Sequence, residues 1–392
     1  MGGSMGMYVG NAIIKAAGEV GVPYNRDYNG ASQDGIAMSQ ATIANGRRMS
    51  TAHCYLEPIR SRPNLTILTG AHATRVLTEG KRATGVAYRR GRKQEQVMAA
   101  KEVILCGGAF NSPQLLQLSG IGAADDLRLH GIEVVHDLPG VGKNLQDHLD
   151  FILAYKSKDT DNFGIGLAGT IGLTKHILQW RRDGNSMIST PFAEGAGFLK
   201  TDPGLDRPDV QLHFVISIVD DHARKLHLGY GFSCHVCALR PYSRGEVFLE
   251  SADPMAAPGI DPRFLSDPRD LQTTIKGAKM TREILQAPAL KSYRDKELFG
   301  VTDGMSDADW EGHIRARADT IYHPVGTCKM GTDDMAVVDP QLRVHGMEGL
   351  RVVDASIMPR LIGGNTNAPT IMIGERAADF IRGSKAEAVA AE

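Results

Sequence analysis

The residue best suited to proton transfer is a histidine in the run YHPVGTCKMG, residues 322–331. Because Pro324 follows His323, the chain at this histidine is biased toward extended geometry and away from the middle of a helix. A loop imidazole that titrates near neutrality can take a proton from a substrate hydroxyl. His323 is therefore a candidate base, although the chain has 13 histidines and a structural role competes for each of them.

Polar residues also stand at the predicted ends of elements near the C-terminus. Asn365 and Asn367 precede a predicted helix with Pro369 near its start and Gly383 past its end, so their amides either cap the helix or orient a ligand. Asp354 closes the predicted strand in VVDAS at its carboxyl end, where open α/β sheets place ligands. A turn-forming aspartate explains Asp354 equally well.

A strand, a turn of small residues and a helix are predicted over 101–120. Gly107 and Gly108 permit another group to approach the backbone closely, and a helix start offers unpaired N–H donors to an anion or a ribose oxygen. Tight packing is the competing interpretation of these glycines. Asn111 or Ser112 is the predicted cap of the helix.

Three familiar patterns lack the context that their chemistry needs. The G-x-S-x-G match at 2–6 has no strand before its serine, and the G-x-G-x-x-G match at 164–169 follows a polar run. Cys234 and Cys237 lie on a predicted strand, where residues three apart point to opposite faces. Hydrolase, dinucleotide-loop and metal-site interpretations of these patterns are therefore disfavoured, and no metal is expected.

Composition excludes several classes of protein. The 392 residues carry a formal charge of −1, and their basic residues are scattered, so a nucleic-acid partner is disfavoured. No apolar run approaches the roughly 20 residues that span a bilayer. The N-terminus does not read as a secretory signal, so we expect a cytoplasmic protein.

The elements that must position these residues fall into two groups. Strands are predicted in LTIL, TRVL, TGVAYRR and KEVIL, and residues 151–320 mix the strands FILAY, DVQLHFVISIV and GEVFLES with helices at 168–182, 270–285 and 307–318. A strand and a helix then follow His323. The pattern predicts an α/β unit combined with an α+β unit.

Taken together, the motifs resemble those of the glucose/methanol/choline (GMC) oxidoreductases. The runs GGAFNSPQLLQLSGIG (107–122), DLPGVGKNLQDH (137–148), YHPVGTCKMG (322–331) and GGNTNAPTIMIGE (363–375) carry the resemblance. NGRRMSTAHCYLEP, LRPYSRGEVFLESADP and IDPRFLSDPRDL extend it over nearly the whole chain. Among subgroups, the match is best to choline-dehydrogenase-like alcohol dehydrogenases.

The resemblance implies bound FAD and oxidation of a small-molecule alcohol by hydride transfer to the flavin. His323 matches the family's active-site histidine, and Asn365 matches its second active-site position. The same comparison assigns further residues to the cofactor: Ala73, Gly107, Gly108 and Ala109 beside the adenosine part, Asp354 and Ala355 beside the ribityl and pyrophosphate part, and Asn367 and Pro369 beside the ring. Residues 190–240, including Phe192 and Glu194, are expected to line the alcohol pocket. Glu194 could contact a cationic substrate such as choline, but a solvated or capping carboxylate is the favoured interpretation of this residue.

The resemblance also implies the fold and the domains. We expect an incomplete Rossmann-like FAD-binding domain over 61–150 and 321–383, an antiparallel-sheet substrate domain over 1–60 and 151–320, and a frayed tail over 384–392. The family's first strand and G-x-G-x-x-G loop have no counterpart in this sequence. The chain could therefore be truncated and self-associating, could pair with a separate N-terminal FAD-binding chain, or could be a non-catalytic flavin- or protein-binding module.

Overall fold

Helices form where apolar periodicity and terminal glycine or proline predict them. The structure is a computed structural model that describes residues 8–160 and 162–383, so the predicted tail at 384–392 and the G-x-S-x-G match at 2–6 lie outside the described residues. Gly184 and Gly383 each end a helix in the left-handed conformation, with φ of 72°. The α-helices are α1 (Tyr8–Glu19), α2 (Gly108–Leu118), α3 (Ala124–Leu129), α4 (Leu167–Asp183), α5 (Pro268–Gln286), α6 (Asp307–Arg317) and α7 (Asn367–Arg382).

The strands are mostly short and are joined by turns that contain glycine. They are β1 (Gly35–Met38), β2 (Ile43–Ala44), β3 (Arg47–Arg48), β4 (Ala71–Glu79), β5 (Arg82–Arg90), β6 (Lys93–Met98), β7 (Val103–Leu105), β8 (Ile121–Gly122), β9 (His136–Asp137), β10 (Lys143–Leu145), β11 (Leu149–Ser157), β12 (Ala193–Leu199), β13 (Val210–Val215), β14 (Tyr230–Ala238), β15 (Gly245–Phe248), β16 (Gly259–Asp261), β17 (Asp319–Thr320) and β18 (Leu350–Val352).

The chain divides into two compact units. The first unit comprises Met1–Arg62, Leu149–Leu239 and Pro268–Ile321. Its main sheet has the order β1-β12-β13-β14-β11-β17, and every pair in it is antiparallel. Helix α5 packs closely on one face of this sheet. A Cβ placed on Gly277 of this helix would lie 3.0 Å from the side chains of Val210 and Val236 in the sheet. The antiparallel sheet predicted for residues 151–320 is therefore confirmed.

The second unit comprises Pro63–His148, Arg240–Asp267 and Tyr322–Glu392. It contains the antiparallel meander β4-β5-β6, the three-stranded sheet β10-β15-β16 and the parallel pair β7 and β18. Its apolar core includes Leu116, Val325, Cys328 and Val352, none of which is measurably exposed. This combination is the expected α/β architecture with antiparallel sheets.

Three local predictions differ from the structure. The run LTIL forms no strand, because it has no ladder partner in the described chain and leaves Ile67 and Leu68 exposed. Helix α2 begins at Gly108 rather than after a cap at 111 or 112, because the Ser112 hydroxyl is engaged in a hydrogen bond with Asp354. Residues 240–267, predicted within the 151–320 segment, pack with the second unit because β15 pairs with β10.

None of the helices in the described ranges is long and apolar enough to cross a bilayer.

Two glycines with similar backbone angles predict different costs of substitution. Gly142 has φ of 83°, and a Cβ there would lie 2.1 Å from the Val247 carbonyl oxygen, whereas Gly131 has φ of 69° and nothing within 4 Å. We expect Gly142→Ala to lower the free energy of unfolding by about 3 kcal/mol and Gly131→Ala by about 1 kcal/mol. Urea denaturation of both variants measures the difference. Equal losses would show that the contact with Val247 is unimportant.

Candidate active site

The imidazole of His323 and the amide of Asn365 lie next to each other in the second unit. The Asn365 Nδ2 atom is 3.3 Å from His323 Nε2. His323 precedes Pro324 in an irregular segment, as the sequence predicts, and it is 8% exposed. Asn365 lies on the exposed loop that leads into α7. The Nε2 edge of the buried His323 ring therefore lies beside the exposed side chain of Asn365.

A second histidine, His148, contacts the Nδ1 edge of the His323 ring. The Nδ1 atoms of His148 and His323 are 2.9 Å apart, and the two rings meet edge to face with their centroids separated by 5.1 Å. His148 is fully buried. No local pattern distinguishes His148 in the sequence, where it is the last residue of the DLPGVGKNLQDH run.

Burial controls the protonation of the site. Removal from water lowers the pKa of His323 to about 4, because desolvation penalises the charged imidazolium. The ring is therefore neutral at pH 7. A neutral imidazole keeps one nitrogen lone pair, which is the atom that a general base needs.

The backbone around His323 is fixed by hydrogen bonds to the segment that ends in His148. The His323 N–H donates to the Asp147 carboxylate at 2.9 Å. Gln146 and Val325 exchange two backbone hydrogen bonds, at 3.1 and 2.9 Å. The Gln146 side chain also accepts from the Leu361 N–H at 3.1 Å, on the stretch that leads toward Asn365. Gln146 thus links both segments of the site, and the sequence analysis missed it.

A close backbone approach requires glycine three residues after His323. Gly326 has φ of 95°, and a Cβ there would lie 2.5 Å from the Asn144 carbonyl oxygen. Asn144 and Tyr322 themselves have φ of 66° and 68°, in the left-handed region that costs a residue with a side chain about 1–2 kcal/mol. Each of the two segments that hold the histidine pair therefore contains one residue with strained backbone.

The predicted glycine turn and the predicted aspartate also meet in the second unit. Asp354 follows β18, which runs parallel to β7, and its carboxylate accepts hydrogen bonds from the Gly108 N–H at 2.9 Å and the Ser112 hydroxyl at 2.5 Å. The Ala109 carbonyl accepts from the Thr327 hydroxyl at 2.6 Å, which connects this turn to the His323 segment. Asp354 therefore joins the carboxyl ends of two parallel strands.

The other positions assigned by resemblance are more dispersed. Ala355 follows Asp354, and its carbonyl accepts from the Gly326 N–H at 3.4 Å. Asn367 begins α7, and Pro369 lies in its first turn. Ala73 is exposed on β4 opposite Tyr88, and it makes no hydrogen bond to the His323 group within the described chain. Contacts of these residues with a cofactor stay predictions.

The two residues expected near the alcohol lie in the first unit. Phe192 is 53% exposed and stacks on Phe163, with the ring centroids 4.4 Å apart. Glu194 is buried, and it accepts a hydrogen bond from the Thr190 hydroxyl at 2.9 Å. The solvated carboxylate considered for Glu194 is therefore wrong.

Cys106 lies directly after β7, beside the glycine turn. Desolvation, followed by the nearby Asp354 carboxylate, raises the pKa of Cys106 to about 11, so this thiol is protonated at neutral pH. No group of three or more His, Cys, Asp or Glu residues is placed to hold a metal ion in ranges 8–160 and 162–383.

Most of the chain is similar in sequence to known proteins. Family models described as GMC oxidoreductase match residues 5–150 and 241–374. An alcohol dehydrogenase (acceptor) of Pseudomonas putida is 47% identical over 376 residues, which are 94% of this chain and 67% of the relative. An oxygen-dependent choline dehydrogenase of Paraburkholderia xenovorans LB400 is 44% identical over 380 residues, 96% of this chain and 67% of the relative.

The solved structures agree with these matches. A variant of Aspergillus oryzae RIB40 formate oxidase, studied for its FAD modification, superposes with a TM-score of 0.88 at 26% sequence identity. The superposition covers 96% of this chain and 70% of the formate oxidase chain. The family models cover both segments of the histidine pair, since His148 falls in the first match and His323 in the second. The chain therefore belongs to the GMC oxidoreductase family of enzymes.

Proposed function

We propose that this chain oxidises a small-molecule alcohol to an aldehyde or ketone, with His323 as the general base and FAD as the cofactor. The observation that carries the proposal is the 3.3 Å approach of Asn365 Nδ2 to the neutral, buried ring of His323. A base and a hydrogen-bond donor side by side are the groups that a hydroxyl needs, because it gives up a proton while its oxygen is held in place.

The turn at the end of β7 fits the cofactor. Gly107 is exposed, and Gly108 has φ of 77° with no heavy atom within 4 Å of where a Cβ would lie, so a ligand can approach the main chain there. This open turn lies at the carboxyl ends of the parallel strands β7 and β18, where α/β sheets bind nucleotides. Gly107, Gly108, Ala109, Asp354 and Ala355 would hold FAD, which when bound would supply the acceptor for the hydride that leaves the substrate carbon.

The hydrogen bonds around His323 favour one tautomer. If the Asn365 amide nitrogen donates to Nε2, the Nε2 atom carries the lone pair and the proton sits on Nδ1. His323 Nδ1–H then donates to His148 Nδ1 at 2.9 Å. The substrate hydroxyl would give its proton to Nε2, and Asn365 would turn its amide to the same oxygen.

His148 acts as a positioning residue in this proposal. Its Nδ1 accepts a hydrogen bond from the His323 Nδ1–H and so fixes the ring orientation and the tautomer. The new positive charge on His323 during proton transfer would also be shared with a hydrogen-bond acceptor rather than left in an apolar setting.

Removal of the base separates catalysis from cofactor binding. We expect His323→Ala to retain the absorbance shift of added FAD and to reduce the rate of alcohol-dependent bleaching by about 10²–10⁴-fold. Stopped-flow spectroscopy measures the bleaching. His345→Ala is the matched control, because His345 is a partly buried histidine whose ring Nε2 lies 3.0 Å from the Gly331 carbonyl oxygen.

Three results of this experiment would count against the proposal. A flat titration of the wild-type chain with FAD would contradict the cofactor assignment. A shifted spectrum with no bleaching by any alcohol would favour the non-catalytic binding module. Unchanged bleaching in His323→Ala would remove the histidine from its role.

Loss of the second histidine tests the positioning role. We expect His148→Phe to lower the bleaching rate by roughly 10-fold to 100-fold and to change its pH dependence, because the His323 Nδ1–H loses its acceptor. His148→Gln, whose side-chain oxygen can accept this hydrogen bond, should recover part of the rate. Equal rates and equal pH profiles in both variants and the wild type would contradict the role.

The low pKa of His323 also predicts how stability depends on pH. The folded pKa is about 4 and the ordinary value is 6.5, so between these values the unfolded chain binds a proton that the native chain does not. Stability contributed by the neutral ring is therefore full above pH 6.5 and is lost as the pH falls toward 4. Between pH 6.5 and about 5.5 the loss is about 1 kcal/mol. Urea denaturation at several pH values should show this loss in the wild type and less of it in His323→Gln. The same dependence of the free energy of unfolding on pH in both proteins would contradict the assigned pKa.

A further inference from the structure

Helix α4 presents an apolar stripe to solvent. None of its 17 residues is buried, and Leu167, Ile171 and Leu178 are 81%, 50% and 60% exposed. At about 100° per residue these three side chains fall within an arc of roughly 40° on the helix. Apolar residues on the solvent side of a helix require an explanation, because a helix normally turns its apolar stripe inward.

On the side away from the stripe α4 is tied to its own unit through Trp180, although Leu173 and Ile177 are still 41% and 36% exposed. The Trp180 indole N–H donates to the Gly46 carbonyl at 2.8 Å. A Cβ on Gly169 would lie 2.0 Å from the Gly164 carbonyl oxygen, so the helix approaches the chain closely at this point. These contacts fix which side of α4 faces outward.

Basic residues flank the stripe. Lys175, Arg181 and Arg182 lie within about 80° of its centre, on both sides. With one acidic residue, Asp183, the helix has a net charge of +2. Lys175 and Arg181 make no ion pair with any described residue, while Arg182 pairs with Asp183. Long basic side chains beside exposed leucines are typical of helices that lie in a membrane interface.

A neighbouring loop enlarges the apolar area. Ile165 and Gly229 exchange two backbone hydrogen bonds of 2.9 Å, which bring the loop before β14 to the start of α4. Leu226 and Leu228 in this loop are 69% and 72% exposed. Several exposed leucines near basic residues are typical of an interaction site rather than of ordinary surface.

The loop is held in one conformation. The Asp220 carboxylate accepts from the His227 ring at 2.8 Å and from the Arg317 guanidinium at 2.8 Å. Three successive residues after Asp220, at 221–223, have φ between 47° and 63°. The loop would therefore lose little conformational entropy when Leu226 and Leu228 become buried against a partner.

We propose that α4 and residues 224–228 dock on the surface of an anionic lipid bilayer, with α4 lying in the interface and its leucines in the acyl boundary. Charge complementarity favours this partner, since Lys175, Arg181 and Arg182 face anionic headgroups. A second copy of the chain would bring like charges together. The proposal is independent of the catalytic role of His323.

Vesicle sedimentation tests the proposal. We expect the full chain to pellet with vesicles of equal parts phosphatidylglycerol and phosphatidylcholine, less with phosphatidylcholine alone, and less at high salt. The triple variant Leu167→Ser, Ile171→Ser, Leu178→Ser should bind at least about tenfold more weakly. Lys175→Gln with Arg181→Gln should bind roughly 25-fold more weakly to the anionic vesicles.

Leu129→Ser is the matched control, because Leu129 is 84% exposed on α3 and lies outside the proposed surface. Its binding should stay within about twofold of the wild type. The proposal is overturned if the wild type does not pellet with anionic vesicles, or if the triple variant binds like Leu129→Ser. Sedimentation velocity covers the remaining case: an oligomer that the triple variant dissociates, with vesicle binding unchanged, would assign the surface to a second copy of the chain.

Discussion

The site depends on the pairing of residues 144–148 with residues 323–326. Two backbone hydrogen bonds between Gln146 and Val325 bring the segments together, and the 2.9 Å contact between the Nδ1 atoms of His148 and His323 lies directly beside them. Without this pairing His323 would be an ordinary loop histidine. With it, the ring is buried, oriented and neutral, and one edge is left beside Asn365.

Burial gives this imidazole its chemistry and also limits it. Desolvation lowers the pKa of His323, so the ring is deprotonated and ready to accept a proton at neutral pH, although a weak base is a poor acceptor unless the new charge is stabilised. His148 meets that need, since its Nδ1 can accept a hydrogen bond from the His323 Nδ1–H and so stabilise the new positive charge. Backbone strain at Tyr322 and Asn144 indicates that the fold maintains this arrangement at a cost.

The sequence predicted the strongly periodic elements and the residues that motifs carry. Helix α7 is predicted with Pro369 near its start and Gly383 past its end, and the observed helix, Asn367–Arg382, agrees with both. His323 and Asn365, which match the family's two active-site positions, lie within 3.3 Å of each other. Their roles in catalysis stay proposals.

Other features depend on tertiary contacts that no local pattern encodes. Ser112 looked like a helix cap, but its hydroxyl bonds to Asp354, which is 242 residues away in the chain. The apolar run at 65–68 lacks a partner strand in the described chain. Gln146 and His148 carried no separate signal because their function comes from burial against residues about 175 positions later.

Nitrogen NMR of the protein labelled with ¹⁵N-histidine identifies which ring nitrogen of His323 carries the proton, and His323→Gln assigns the signal. We expect a His323 ring that is protonated on Nδ1, bare on Nε2 and unchanged as the pH passes through 6.5. A ring that titrates near 6.5, or one that carries its proton on Nε2, would contradict the claim that a buried neutral imidazole presents its lone pair beside Asn365.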